Sequence, residues 1–241
     1  MKIINFKNKY IVFLFLISLF NVISAKLTPL EGLRNLNLEN EKFVNDPIFQ
    51  KQRKGVIEKQ NPSYVILSCS DSRVTPEYVF GQPLGNMFIV RTAGQVVDDI
   101  VIDTIVFAIK NFDIVNLVVM GHQNCGAVNG ALKRLRDNKG KVKIPKGYKS
   151  VHIDAVLIPI ERAIVASKVD IHAPDALEKS TIANVNYISD QLKKGSLVIS
   201  EAIKNKRISL VGSVYSLETG KVEFLSSWIS NVGIGIKIIA F

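Results

Sequence analysis

Five side chains in two short stretches have the types and spacing to act on one reaction. Cys69, Asp71 and Arg73 lie in Cys69-Ser70-Asp71-Ser72-Arg73, and His122 and Cys125 lie in Gly121-His122-Gln123-Asn124-Cys125-Gly126. The stretches hold both cysteines of the chain and one of its three histidines. Two thiolates and one imidazole make a zinc site with three protein ligands. A fourth position left to water is the pattern of a catalytic site. The i, i+3 spacing of His122 and Cys125 lets both address one ion, with Cys69 arriving from another element. Zinc enforces thiolate ionisation and lowers the pKa of a bound water towards neutrality, producing hydroxide. Two thiolates cancel much of the ion's charge, so this water is expected to be less acidic than on a three-histidine zinc, and activity to favour alkaline conditions. Asp71 and Arg73, two apart, would project to the same side of an extended chain. There the guanidinium lowers the carboxylate pKa and orients it through paired hydrogen bonds.

Each stretch follows an apolar, β-branched run that reads as a buried strand: Tyr64-Val65-Ile66-Leu67 before the first, residues 114–120 before the second. Both therefore sit where a strand ends, the edge at which open α/β sheets bind ligands. Further strands are expected over residues 87–91, 208–215 and 222–225, with a turn at Glu218-Thr219-Gly220 making the last an antiparallel edge. Helices are expected over residues 28–45 (Thr28 cap, Pro29 first), 47–59, 76–80, 98–111, 124–136, 151–168 and 176–194. Strand–helix–strand alternation predicts an α/β fold: a mostly parallel central β-sheet flanked by helices, with an N-terminal helical arm. Residues 137–148 read as a Lys- and Gly-rich surface loop. Residues 228–241 are apolar with glycines.

The two motifs together, in this order and after strands, resemble the β-class carbonic anhydrases. The resemblance runs from about Leu30 to Leu225. It includes Asn40-Glu41-Lys42-Phe43-Val44, Phe88-Ile89-Val90-Arg91-Thr92-Ala93-Gly94 and Val211-Gly212-Ser213-Val214-Tyr215 with Thr219-Gly220. It implies zinc as cofactor on Cys69, His122 and Cys125, and hydration of CO2 to bicarbonate and a proton by a zinc-bound hydroxide. It implies that Asp71 accepts a hydrogen bond from that water or hydroxide and aims it at CO2, with Arg73 beside it. In some members the same Asp binds the metal instead. Gln60 would donate to substrate across a subunit interface, and the Gly126 backbone N–H would also face substrate. Phe88, Val90 and Ala93 are candidates for an apolar wall around CO2, or plain core. The N-terminal helices would pack on a partner subunit, giving a dimer or tetramer. Members that switch with bicarbonate use a tryptophan upstream of the first motif; the single tryptophan here is Trp228, so the zinc is expected to stay open and Asp71 to stay with Arg73. Many members read Asn where this chain has Thr92, and again where it has Gln95, which should alter packing near the site more than its chemistry.

Residues 1–25 carry Lys2, Lys7 and Lys9, an apolar run over residues 10–20, and a small residue, Ala25, before Lys26. This is the three-part pattern of a secretory signal peptide. Eleven residues span about 16 Å as a helix, short of a hydrocarbon core of about 30 Å. The expectation is an exported protein, periplasmic or secreted, with residues 26–241 forming one zinc domain and no membrane attachment after cleavage. An exported chain with two cysteines also admits one disulfide, but a disulfide explains neither His122 nor the Asp71–Arg73 pair. The formal charge is +10. Its densest group, Lys133, Arg134 and Arg136 followed by residues 139–149, has few interleaved aromatics, so a solvated surface is expected rather than a nucleic-acid site. His152 and His172 match no motif. A non-catalytic zinc or bicarbonate binder is the competing function class. Some relatives hydrolyse small sulfur compounds such as CS2, and the motifs leave that open.

Overall fold

A computed structural model describes residues 27–144 and 153–225. The signal-peptide segment, His152 and Trp228 lie outside the described residues. The chain divides into two compact units, up to Lys54 and from Gly55 onward.

The first unit is a helical pair. Helix α1 (Pro29–Asn45) starts with a capping box: the Glu31 N–H donates to Thr28 Oγ1 at 3.3 Å, and the Thr28 N–H donates to Glu31 Oε2 at 2.8 Å. Helix α2 (Pro47–Val56) begins on Asp46, whose Oδ1 accepts from the Ile48 N–H at 2.8 Å. Arg53 returns to α1, donating to the Phe43 and Val44 carbonyls at 2.9 Å each, with its guanidinium 4.7 Å from the Phe43 ring centroid. Neither helix has a buried residue, and Leu30, Leu33, Leu36 and Leu38 are exposed. Helix α2 stops at Val56 rather than Lys59, where the chain bends ahead of Asn61-Pro62.

The second unit is built on a five-stranded sheet, order β2-β1-β3-β4-β5. Its strands are β1 (Tyr64–Cys69), β2 (Met87–Thr92), β3 (Asn116–His122), β4 (Ser209–Tyr215) and β5 (Val222–Phe224). All pairs are parallel except β4–β5. Helices α3 (Pro76–Val79), α4 (Asp99–Asn111), α5 (Gly126–Asp137), α6 (Asp154–Ala166), α7 (Ala176–Gly195) and α8 (Leu197–Lys204) complete it. Among the described residues no helix is long and apolar enough to cross a membrane.

The pleat sorts the strands. Val65, Leu67, Leu117 and Val119 point to the face covered by α4, α7 and α8, where Ile105, Ile109, Val185, Ile188 and Ile199 close the main core. Ile66, Val118 and Met120 point to the other face, whose rim of Tyr64, Met87, Ile89, Tyr215 and Phe224 is only partly buried. A further cluster at the sheet's carboxyl edge joins α5 and α6 to the site: Val96, Val128, Leu132, Leu157 and Ile160 pack with Cys69 and Cys125.

Four more elements differ from expectation. Strand β3 runs on to His122, because β4 pairs with it through Tyr215. Helix α5 starts at Gly126 and not Asn124, because Asn124 takes a left-handed conformation (φ 55°) and Cys125 serves as the N-cap. Helix α8, capped by Ser196, was not anticipated; neither was a 3₁₀ turn at Ala93–Gln95.

Candidate metal centre

Register brings the two motifs together. In the parallel ladders Cys69 stands opposite Thr92 on β2, and Ser68 stands opposite Met120 on β3, one residue short of Gly121-His122. Cys69 and His122 thus end adjacent strands. Gln123 and Asn124 then turn the chain, and Cys125 caps α5. The left-handed Asn124 is the tight step that returns Cys125 towards His122.

All three side chains are buried, His122 completely. Their ligand atoms lie within 4.8 Å of one another, and the two sulfurs are 3.9 Å apart and unbonded. Two zinc–sulfur bonds of about 2.3 Å at a tetrahedral angle would place sulfurs about 3.8 Å apart, so the spacing suits zinc and excludes a disulfide in this geometry. His122 Nδ1 lies 2.9 Å from the Gln123 carbonyl. A carbonyl can only accept, so Nδ1 carries the proton and Nε2 keeps its lone pair. That Nε2 is buried and has no hydrogen-bond partner among the described residues. A buried, unpartnered acceptor is costly in a metal-free site and is what a metal ligand needs.

Charges follow the same plan. The Cys69 thiol is held below its ordinary range chiefly by the hydrogen bond from Cys125, with the Gly94 N–H adding to it, against the effect of burial. Cys125, hydrogen-bonded to Cys69 and buried, is pushed up. Asp71 is held well below the usual carboxylate range, chiefly by the Arg73 guanidinium. Arg73 binds it bidentately, Nε to Oδ1 at 2.9 Å and Nη2 to Oδ2 at 2.8 Å. The pairing does not arise in extended chain as expected. A turn makes it: the Arg73 N–H donates to Asp71 Oδ1 at 3.0 Å, and the Val74 N–H to the Asp71 carbonyl at 2.9 Å. Asp71 Oδ2 remains 3.9 Å from His122 Nε2, and the carboxylate is not among the clustered ligand atoms.

Arg91 does more than the sequence reading gave it. Its Nε donates to the Cys69 carbonyl at 3.0 Å and its Nη2 to the Asp71 carbonyl at 2.8 Å. It therefore fixes the backbone that carries both a ligand and the carboxylate. Its place on β2, facing the end of β1, was the available signal.

A family model described as carbonic anhydrase matches residues 64–222. A β-carbonic anhydrase from Coccomyxa, solved with acetazolamide, superposes with a TM-score of 0.62 at 26% identity, over 83% of this chain and 86% of that one.

The chain belongs to the β-class carbonic anhydrase family.

Carbonic anhydrase 2 of Mycobacterium tuberculosis is 35% identical over 213 residues, spanning 85% of this chain and 96% of the relative. The two tetrameric β-carbonic anhydrases of Sordaria macrospora include a chain with a TM-score of 0.61 at 21% identity, covering 80% of this chain and 93% of that one. That likeness speaks for the fold. Zinc is the metal of this family, and the trio fits it.

Gly126 opens α5 at the site, exposed, with nothing within 4 Å of where a Cβ would stand. Gln60 is exposed ahead of β1, while Cys69 ends that strand. Six strand residues at about 3.3 Å each separate them, so within one chain Gln60 is remote from the metal. Ala93 is exposed, next to Gly94; Phe88 and Val90 pack into the main core, Phe88 with its ring 6.1 Å from that of Phe112, and do not form a wall beside the trio. Val96 does, in the cluster that holds both cysteines. His172 is exposed. Thr92 and Gln95 shape the turn next to Cys69: the Thr92 hydroxyl donates to the Val96 carbonyl at 2.7 Å, and Gln95 is fully buried.

Proposed function

We propose that this protein catalyses the reversible hydration of CO2 to bicarbonate and a proton. The observation that carries the proposal is the Asp71–Arg73 pair: a carboxylate held ionised and beside the ligand trio without joining it. When bound, zinc supplies the Lewis acidity that makes water a nucleophile near neutral pH. The chain's own residues supply orientation. Asp71, with both oxygens fixed by Arg73, still has lone pairs to accept from the O–H of the attacking water. Accepting that hydrogen turns the water's free lone pair towards CO2. Arg91, through the Cys69 and Asp71 carbonyls, keeps ligand and carboxylate in one rigid unit. The Gly126 N–H, at the positive end of α5, lies beside the trio and suits the negative charge that grows on the substrate oxygens. Water adds to carbon, and the proton passes to buffer.

Self-association belongs to this reading. The exposed leucines of α1 and the partly covered sheet face leave apolar surface that a second copy would cover, and Gln60 reaches a metal centre only from another subunit. The structural neighbours from Sordaria are tetrameric. We further infer export, from the leader pattern of residues 1–25.

The test is stopped-flow CO2 hydration by zinc-loaded protein, after chelation and after zinc is restored. Activity that disappears and returns supports the reading. A zinc-loaded protein no faster than buffer would leave a zinc or bicarbonate binder instead.

A further inference from the structure

Gly94 stands between Cys69 and α7. Its N–H donates to Cys69 Sγ at 3.3 Å, and its carbonyl accepts from Asn184 Nδ2 at 2.9 Å. Its backbone is left-handed (φ 66°, ψ 20°) inside the Ala93–Gln95 turn. A Cβ there would fall 2.7 Å from Ile160 Cδ1 and 3.0 Å from Ala127 Cβ, so the position takes glycine only. A glycine, however, does not hold its own conformation. The direction of its N–H must be set from outside, and the direct hold on its carbonyl is Asn184.

We propose that Asn184 is a positioning residue of the metal centre: by fixing the Gly94 peptide it aims the Gly94 N–H at the Cys69 sulfur. The proposal rests on zinc being held by that sulfur. An N–H directed at a ligand thiolate withdraws charge from it and fixes its lone pair, as outer-shell partners do at metal sites generally. Asn184 is fully buried on the middle of α7, among Ala183 and Val185. Its Oδ1 has no hydrogen-bond partner among the described residues, and neither amide atom of the adjoining Gln95 has one. A position serving packing alone would be filled at least as well by an apolar side chain, which leaves no orphaned acceptor. The hydrogen bond Asn184 does make goes to the one carbonyl whose placement decides the aim at Cys69.

The test uses the zinc-loaded full chain with Asn184→Leu, which keeps the branched shape without the polar atoms, and Asn184→Ala, which cannot overpack. Ser189→Ala is the control: Ser189 is a buried polar residue of the same helix, bonded only to Val185 of its own helix at 2.8 Å. Zinc transfer to a competing chelator is timed, and the cysteinate-to-metal charge-transfer band of the cobalt-substituted protein is recorded. Both Asn184 variants are expected to release zinc about 10- to 100-fold faster, the usual cost of an outer-shell change. Their cobalt band should move to longer wavelength, since the sulfur regains charge; the control should match wild type in both. Wild-type release and an unmoved band in the Asn184 variants would overturn the proposal. Equal acceleration in Ser189→Ala would overturn it too, by showing general loosening of α7. A wild-type protein that binds no zinc would instead defeat the metal reading, so the two failures are told apart.

Discussion

Arg73 grips Asp71 by both oxygens, at 2.9 and 2.8 Å, and the gripped carboxylate rests 3.9 Å from His122 Nε2. The guanidinium is about half exposed, so solvent screens its charge and the pair adds little stability. What it fixes is direction: the fork geometry of two parallel bonds sets the plane of the carboxylate.

Asp71→Asn tests that role. The ligand trio is untouched, so zinc content should remain at wild type. The amide presents an N–H where the attacking water needs an acceptor, and the CO2 hydration rate should fall about 10- to 100-fold. A variant as fast as wild type would reduce Asp71 to a structural partner of Arg73.

The cysteines give a second prediction. Cys125→Ser should abolish both bound zinc and hydration. Chelated wild type, held in air, should lose its two titratable thiols together, because the sulfurs lie 3.9 Å apart and a modest movement brings them to the bonding distance of about 2.05 Å. Zinc should block this loss. Thiols that stay free in the metal-free protein would contradict the packing of Cys69 against Cys125.

Behind the site, Arg134 on α5 binds Asp154 and Glu161 on α6, and Glu161 is completely buried. Arg134→Met would leave that carboxylate without its partner. Removing one member of such a group costs about 3–5 kcal/mol, so the denaturant midpoint of zinc-loaded protein should drop markedly. Arg134→Met with Glu161→Leu should recover most of the loss. An unchanged midpoint in the single variant would show that water reaches Glu161.

Oligomeric state gives the fourth. Light scattering on the protein lacking residues 1–25 should find at least a dimer. A Leu33→Glu, Leu36→Glu variant of α1 should dissociate and lose activity. A fully active wild-type monomer would remove any part for Gln60 across an interface.

Much of this was legible in the residues, for physical reasons. The strands leading to Cys69 and His122 are buried on both faces and so read as unbroken apolar runs, and Thr28 with Pro29 announced α1. The zinc trio was legible because few residue types bind zinc and this chain has only two cysteines. What stayed hidden depends on tertiary placement. The Asp71–Arg73 pair was legible, but not the turn that makes it, whose side-chain bonds close only when formed. Arg91 and Asn184 act on backbone carbonyls, contacts that leave no spacing in the sequence, and the Ala93–Gln95 turn follows from packing against Ile160 and Ala127. Phe88 and Val90 looked equally suited to a substrate wall and to the core. Only the direction of the β2 pleat decides between them.

Cys69, His122 and Cys125 should hold zinc with a position left open, because Arg73 retains Asp71. X-ray absorption at the zinc edge, on wild type at neutral pH with and without bicarbonate, tests it most directly. Two sulfurs, one imidazole nitrogen and one exchangeable light-atom neighbour are expected in both samples, with Asp71→Asn giving the same spectrum. A carboxylate oxygen in the first shell that disappears in Asp71→Asn would contradict it.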